Sequence, residues 1–260
     1  MCGRYVSVSS PTILAERFGV AEVRLEATEP NYNVTPRADV PVVAESKGDA
    51  RVATGGERSA KSTQESGRRV LDLVRWGLIP SWAKDTKIGD RLINARSDKI
   101  LTSNAYKRAF ERRRCIVPAD GFYEWQVVAQ STNSRGKKKV KQPWFFRRRD
   151  GEPLAFAGCW EIWHDPELGD DAPRIKSCVI ITTDANDVVQ PIHDRMPVVL
   201  PESAWDEWLD RENRDVASLH KLLVPAAADV MEAWPVSLAV NKPDNNGPEL
   251  LERAPLDSLL

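Results

Sequence analysis

Between Cys115 and Thr183 the chain carries four apolar, β-rich runs, and no stretch between them has the helical period that a parallel crossover needs. The runs begin CIVPADGFYEW at Cys115, PWFFRRR at Pro143, PLAFAGCWEIW at Pro153 and IKSCVIITT at Ile175, with turn chemistry at Asp150-Gly151 between the second and third. Strands that succeed one another without helices pair antiparallel. The pattern predicts an α+β fold organised on an antiparallel sheet or distorted β-barrel with flanking helices, and it contains neither an internal repeat nor βαβ alternation.

The flanking elements are legible in the same way. After an opening strand over residues 2–9, Ser10-Pro11 supplies an N-cap and first-turn proline for a short helix that Gly19 ends. Residues 30–44 read as a proline-punctuated extended segment and Val70 to Trp76 as a strand. Ser103 is placed to cap a helix with Tyr106, Ala109 and Phe110 inward and Lys107, Arg108, Arg112 and Arg113 outward. Trp205, Trp208 and Leu209 mark one amphipathic helix, and Val216, Leu219, Leu222 and Leu223 another. Polar stretches at about 45–68 and 128–142 read as insertions, the first a surface loop. One domain over 1–241, followed by a tail over 242–260, is the expected organisation, with 42% hydrophobic residues and nine tryptophans to fill its core.

No apolar run approaches the roughly 18 residues of a membrane-spanning helix, and the first residues lack the basic start and apolar middle of a signal peptide. A soluble, intracellular, monomeric protein without a membrane partner is expected. Cys2, Cys115, Cys159 and Cys178 stand far apart with no C-x-x-C pair, which suggests free thiols and no zinc site, and neither a metal nor an organic cofactor is implied. The net charge of −1 conceals a strong polarity. Residues 101–150 hold 13 Lys and Arg against 4 Asp and Glu, whereas residues 151–260 hold 8 against 21. A basic middle of this kind attracts phosphates, although solvated Lys/Arg-rich faces look the same in sequence.

The opening Met1-Cys2-Gly3-Arg4 carries distinctive chemistry. A small second residue permits removal of Met1, which leaves Cys2 with a free α-amine beside its thiol. The two groups titrate near pH 8 and about 8.5, so both are partly nucleophilic at neutral pH, and aldehydes are their natural target. The amine forms an imine and the thiol closes on the same carbon to give a thiazolidine. Three further clusters stand out: RLINARSD around Asn94, RCIVPADGFYEW around Glu124 and PIHDRMPV around His193.

With Cys-Gly-Arg-Tyr at the start and WGLIPSW at Trp76 to Trp82, these clusters resemble the SRAP (SOS response-associated peptidase) family in order and spacing, from Cys2 to about Asn241. The resemblance implies a protein that recognises abasic sites in single-stranded DNA and cross-links to them through Cys2. Catalytic roles fall by resemblance on Cys2 as nucleophile, Asn94 as the residue orienting the new N-terminus, Glu124 as the acidic catalytic residue and His193 as a proton carrier, also for strand scission or reversal. Arg4, Arg96 and Arg195 suit phosphates, Trp76, Tyr123 and Trp125 suit base stacking, and Lys107 and Arg108 add a basic helix face. Self-removal of Met1 fits the family label, and the location implied is cytoplasmic and nucleoid-associated, or nuclear in a eukaryote. Asp98 follows N-A-R-S where an acidic residue of either type is expected.

Two other classes compete. Glutamine amidotransferase domains of the N-terminal-nucleophile type also begin Met-Cys-Gly, but they want an Asn-Gly oxyanion element earlier than Asn246-Gly247. A non-enzymatic single-strand-binding module would need only the basic middle and the aromatics.

Overall fold

The computed structural model describes residues 2–46, 67–133, 136–169 and 172–254. Its strands are β1 (Tyr5–Ser7), β2 (Glu22–Val23), β3 (Asn31–Val34), β4 (Asp39–Ser46), β5 (Arg68–Trp76), β6 (Asn94–Arg96), β7 (Arg114–Ala119), β8 (Gly121–Asn133), β9 (Gly136–Arg148), β10 (Leu154–Trp163), β11 (Ile175–Asp184), β12 (Arg195–Pro197) and β13 (Met231–Pro235). The α-helices are α1 (Pro11–Arg17), α2 (Lys107–Arg112), α3 (Trp205–Leu209) and α4 (Val216–Lys221). The fold is α+β, as the runs of strands predict.

Strands β11, β10, β7, β4 and β5 form a continuous antiparallel sheet that closes on itself, because β5 also pairs parallel with β11 through Arg75↔Ser177 and Trp76↔Cys178. A second sheet runs β13-β9-β8-β1-β3. Closure leaves the apolar faces of the five barrel strands no solvent to meet, which is why their residues read as near-continuous hydrophobic runs. Leu71, Ile116, Val179 and Ile181 pack with α2, α3 and α4, while Val42, Val74, Cys115, Phe156 and Cys178 pack with Tyr5, Phe122 and Phe146 of the second sheet. The run CIVPADGFYEW is divided at Asp120, so β7 belongs to the barrel and β8 to the second sheet.

Local chemistry sets the element ends. Ser10 caps α1 by accepting from the Ile13 amide at 3.3 Å. Gly77 follows β5 at φ 122°, and a Cβ there would stand 2.5 Å from the Gly89 carbonyl, so only glycine lets the two chain segments meet. The expected cap at Ser103 is displaced: Ser103 accepts from the amides of Tyr106 and Lys107 through its carbonyl, and α2 begins one turn later, at Lys107. Tyr106, Ala109 and Phe110 are buried as the periodicity predicts.

The polar stretch at 128–142, read from the sequence as an insertion separating two strands, forms the end of the hairpin that joins them. Pairing of β8 with β9 continues past Val127↔Lys141, through a bulge, to Asn133↔Gly136. Backbone ladder bonds carry these strands where side chains give no apolar signal. Of the stretch at 45–68, β4 reaches Ser46 and β5 starts at Arg68, and residues 47–66 lie outside the described residues. After residue 241, Leu250 is buried and the Ala254 amide donates to the Pro235 carbonyl, so this end of the chain packs on β13. No helix among the described residues is long and apolar enough to cross a membrane.

Candidate functional site

Four elements bring Cys2, Asn94, Glu124 and His193 together. β1 runs antiparallel beside β8 with Tyr5↔Phe122 and Val6↔Gly121, and the Tyr123 amide donates to the Arg4 carbonyl at 3.0 Å, which carries residue 2 toward Glu124. β6 lies parallel on β11 with Asn94↔Ile180, and Asn94 Nδ2 donates to the Cys2 carbonyl at 2.7 Å. β12 pairs with the end of β11 at Arg195↔Asp184, and His193 just before it sets Nε2 3.9 Å from Glu124 Oε2.

Burial dominates the electrostatics. Cys2 is fully buried, which pushes its thiol well above the ordinary range, and the nearby Glu124 charge pushes the same way. Glu124 is 2% exposed, and its carboxyl is raised by desolvation, opposed in part by His193. Nδ1 of His193 lies 3.0 Å from the Arg195 amide, which can donate to it, and 3.1 Å from the Asp194 carboxylate and 3.2 Å from the Arg195 carbonyl, which can accept from it. These neighbours hold the ring with its Nε2 toward Glu124.

Several residues expected at the DNA surface serve the frame instead. Trp76 and Tyr123 are fully buried and offer no face to a base. The Trp76 indole N–H donates to the Ile93 carbonyl at 2.9 Å, immediately before Asn94, and the Tyr123 hydroxyl donates to the Tyr32 carbonyl at 2.9 Å. Arg195 is buried, bonding Asp184 at 2.5 Å and the Thr182 carbonyl at 2.7 Å, so its fork is committed to β11. Arg96, by contrast, is exposed, and it closes both arms on Asp98 at 2.9 Å, which gives the acidic residue after N-A-R-S a specific partner.

Other expected residues do reach the surface. Arg4 is half-buried; its Nη1 meets the neutral Asn33 Oδ1 at 2.6 Å and the Val240 carbonyl at 2.9 Å, and burial lowers its pKa. Its guanidinium lies 6.0 Å from the Trp125 ring, and the Trp125 indole, partly exposed, donates to Asn241 Oδ1 at 2.7 Å. Lys107 and Arg108 are exposed on α2.

Two contributors escaped the sequence reading. Tyr106, assigned only to core, donates its hydroxyl to the Asn94 carbonyl at 3.2 Å, and burial pushes its pKa to about 12. Trp82 is 57% exposed, and its indole reaches the Asn104 carbonyl at 3.5 Å, just ahead of α2. Its signal was available: it is the second tryptophan of WGLIPSW, with Pro80-Ser81 before it and Lys84-Asp85 after it. Among the described residues no group of three or more His, Cys, Asp and Glu is arranged to hold a metal ion. Asn246, the amide an amidotransferase reading would need, spends its side chain on the Tyr32 amide at 2.7 Å and the Pro30 carbonyl at 3.2 Å.

Comparison with known proteins gives a consistent result. The family model described as SOS response associated peptidase (SRAP) matches residues 1–243. Abasic site processing protein YoqW of Bacillus subtilis is 37% identical over 253 residues, covering 97% of this chain and 99% of that one. Abasic site processing protein HMCES of Rattus norvegicus is 33% identical over 254 residues, covering 89% of this chain and 66% of that one. A crystal structure of a protein from Bacteroides thetaiotaomicron, 24% identical, superposes with a TM-score of 0.76 over 97% of this chain and all of the other, a likeness of fold. With the family model spanning nearly its whole length and relatives above 30% identity at both ends of the bacterial–animal range, the chain belongs to the SRAP family.

Proposed function

We propose that this protein captures abasic sites in single-stranded DNA by forming a thiazolidine between the C1′ aldehyde and Cys2, once Met1 has been removed. The observation that carries the reading is the bond from Asn94 Nδ2 to the Cys2 carbonyl, 2.7 Å long, beside the Glu124–His193 pair. It holds the residue that bears both nucleophiles beside a buried carboxylate and a partly exposed imidazole. Relatives named for abasic-site processing support the substrate.

The order of steps follows from burial. The thiol is held protonated by its surroundings, so the amine attacks first and the aldehyde oxygen becomes a hydroxyl. Glu124, whose carboxyl desolvation raises above the ordinary glutamate range, donates to that hydroxyl as it leaves as water, and an imine remains. The Cys2 sulfur then adds to the imine carbon while its proton passes to the nitrogen, closing the five-membered ring with net loss of one water. His193 Nε2, facing Glu124, carries the relay's proton to and from the sugar, and the same group serves β-elimination or reversal of the cross-link. Removal of Met1 is a maturation step in which the protein acts on itself.

DNA is held by what reaches the surface: Lys107 and Arg108 on α2, the half-buried Arg4 beside Trp125, and Trp82, whose indole lies against Asn104 just ahead of α2. Of the rival classes, the amidotransferase reading loses its oxyanion amide to the backbone of Tyr32 and Pro30. The test is a denaturing gel of Met1-processed protein with single-stranded DNA carrying one abasic site, run beside Cys2→Ala and undamaged DNA. A shifted band requiring both Cys2 and the lesion, with the mass of the dehydrated adduct, is expected. No shifted band from correctly processed protein sinks covalent capture, and glutamine hydrolysis and simple single-strand binding become the readings to assay.

A further inference from the structure

We propose that Asp120, which touches none of the reacting groups, is a positioning residue that sets the register between the Cys2 strand and the Glu124 strand; the proposal rests on covalent capture through Cys2. Asp120 is the single residue between β7 and β8, where the chain leaves the barrel for the second sheet. Its amide donates to the Val6 carbonyl at 2.8 Å. Its carboxylate accepts from the Val8 amide at 2.6 Å, the Ser9 amide at 2.9 Å and the Ser9 hydroxyl at 2.5 Å. One side chain thus gathers the segment that leaves β1 and ties it to the first residue of the β8 turn.

The short pairing of β1 explains why such a clamp is needed. β1 has three residues, meets β8 at only Tyr5↔Phe122 and Val6↔Gly121, and its register with β3 shifts between Tyr5 and Ser7. A strand held so briefly is poorly defended against slippage, and a one-residue slip turns every side chain to the opposite face. For Cys2 that means rotating away from Glu124 and from the Asn94 amide. The β8 side of the pair is fixed independently: a Cβ at Gly121 would stand 2.3 Å from the Phe145 ring, so β8 and β9 are in close contact there. Asp120 sits four residues before Glu124, about 13 Å along an extended strand, which leaves it no direct part in proton transfer.

A purely structural role predicts loss of stability alone, and a positioning role predicts loss of rate with DNA binding intact. Met1-processed wild type, Asp120→Ala and Ser9→Ala are compared in single-turnover cross-linking to abasic single-stranded DNA, over a range of DNA concentrations and well below each melting temperature. Both amides donate to Oδ2 and the Ser9 hydroxyl to Oδ1, so alanine removes every side-chain acceptor of the clamp, and its maximal rate should fall by about 10- to 100-fold, the scale of an ångström-level misplacement. Half-saturating DNA should not change, and Ser9→Ala should fall between the two. Asp120→Ala that is folded and cross-links at the wild-type maximal rate overturns the proposal. If Asp120→Ala does not fold, Ser9→Ala decides: a lower maximal rate at unchanged half-saturation supports the clamp, and an unchanged rate overturns it. An absent wild-type adduct, by contrast, sinks covalent capture itself and the clamp with it.

Discussion

His193 faces Glu124 across 3.9 Å through its Nε2, because the Arg195 backbone and the Asp194 carboxylate hold Nδ1 from behind. Two groups that share one proton path should behave as a unit. Glu124→Gln and His193→Ala are each expected to lower the single-turnover cross-linking rate by about 10²–10⁴-fold. The double variant should lose little more than the worse single one, since removing either half breaks the relay. Losses that simply multiply would show the two acting in separate steps.

Glu124 also gives stability a signature in pH. Burial raises its pKa, so the folded protein holds this proton more tightly than the unfolded chain does. Stability from this group is therefore complete below the ordinary carboxylate value and is lost as pH rises through the raised one. Glu124→Gln, neutral at every pH, is expected to melt higher than wild type at neutral pH, by about 2–4 °C for each kcal/mol removed. The gap should close as pH is lowered toward the ordinary glutamate range. Thermal melts of both proteins across that range, with equal melting at neutral pH, would show that the carboxylate's charge costs the fold nothing.

How much of this was legible in the sequence depended on the kind of signal. Cys2, Asn94, Glu124 and His193 each sit in a distinctive short cluster, and the α+β class followed from strands that succeed one another without helices. Burial of aromatic rings was not legible: Trp76 and Trp82 share one motif, yet the first is fully buried and the second is 57% exposed. Only three-dimensional closure of β5 on β11 decides which faces inward. The carboxylate partners of Arg195 and Arg96 were not legible for a related reason, because they become neighbours through strand pairing and a tight turn. The far end of the β8–β9 hairpin was missed because it carries no apolar alternation.

The contrast between tryptophans is itself testable. Trp76→Phe keeps an apolar ring but removes the donor to the Ile93 carbonyl, at an expected cost of about 1–3 kcal/mol. For a chain of this size that is a fall of roughly 2–12 °C in melting temperature. Affinity for undamaged single-stranded DNA should not change. Trp125→Ala should do the reverse, keeping most of the stability and losing about 5- to 150-fold in affinity, the scale of one stacked base. Fluorescence anisotropy and melting of the two variants side by side separate frame from surface, and weakened DNA binding by a folded Trp76→Phe would return that ring to the interface.

The exposed cations of α2 make a prediction that depends on ionic strength. A phosphate contact on a single strand releases condensed counterions, so each contributes about −0.7 to the slope of log affinity against log salt. Lys107→Ala/Arg108→Ala should lower the magnitude of the slope by about 1.4 and weaken binding about equally across sequences. Arg96→Ala/Asp98→Ala removes a guanidinium already closed on a carboxylate, leaves net charge unchanged, and should leave the slope unaltered. A slope that falls for the Arg96–Asp98 pair and holds for the α2 pair would move the phosphate track off the helix and onto the turn after β6. The DNA would then have to open the Arg96–Asp98 bridge as it binds.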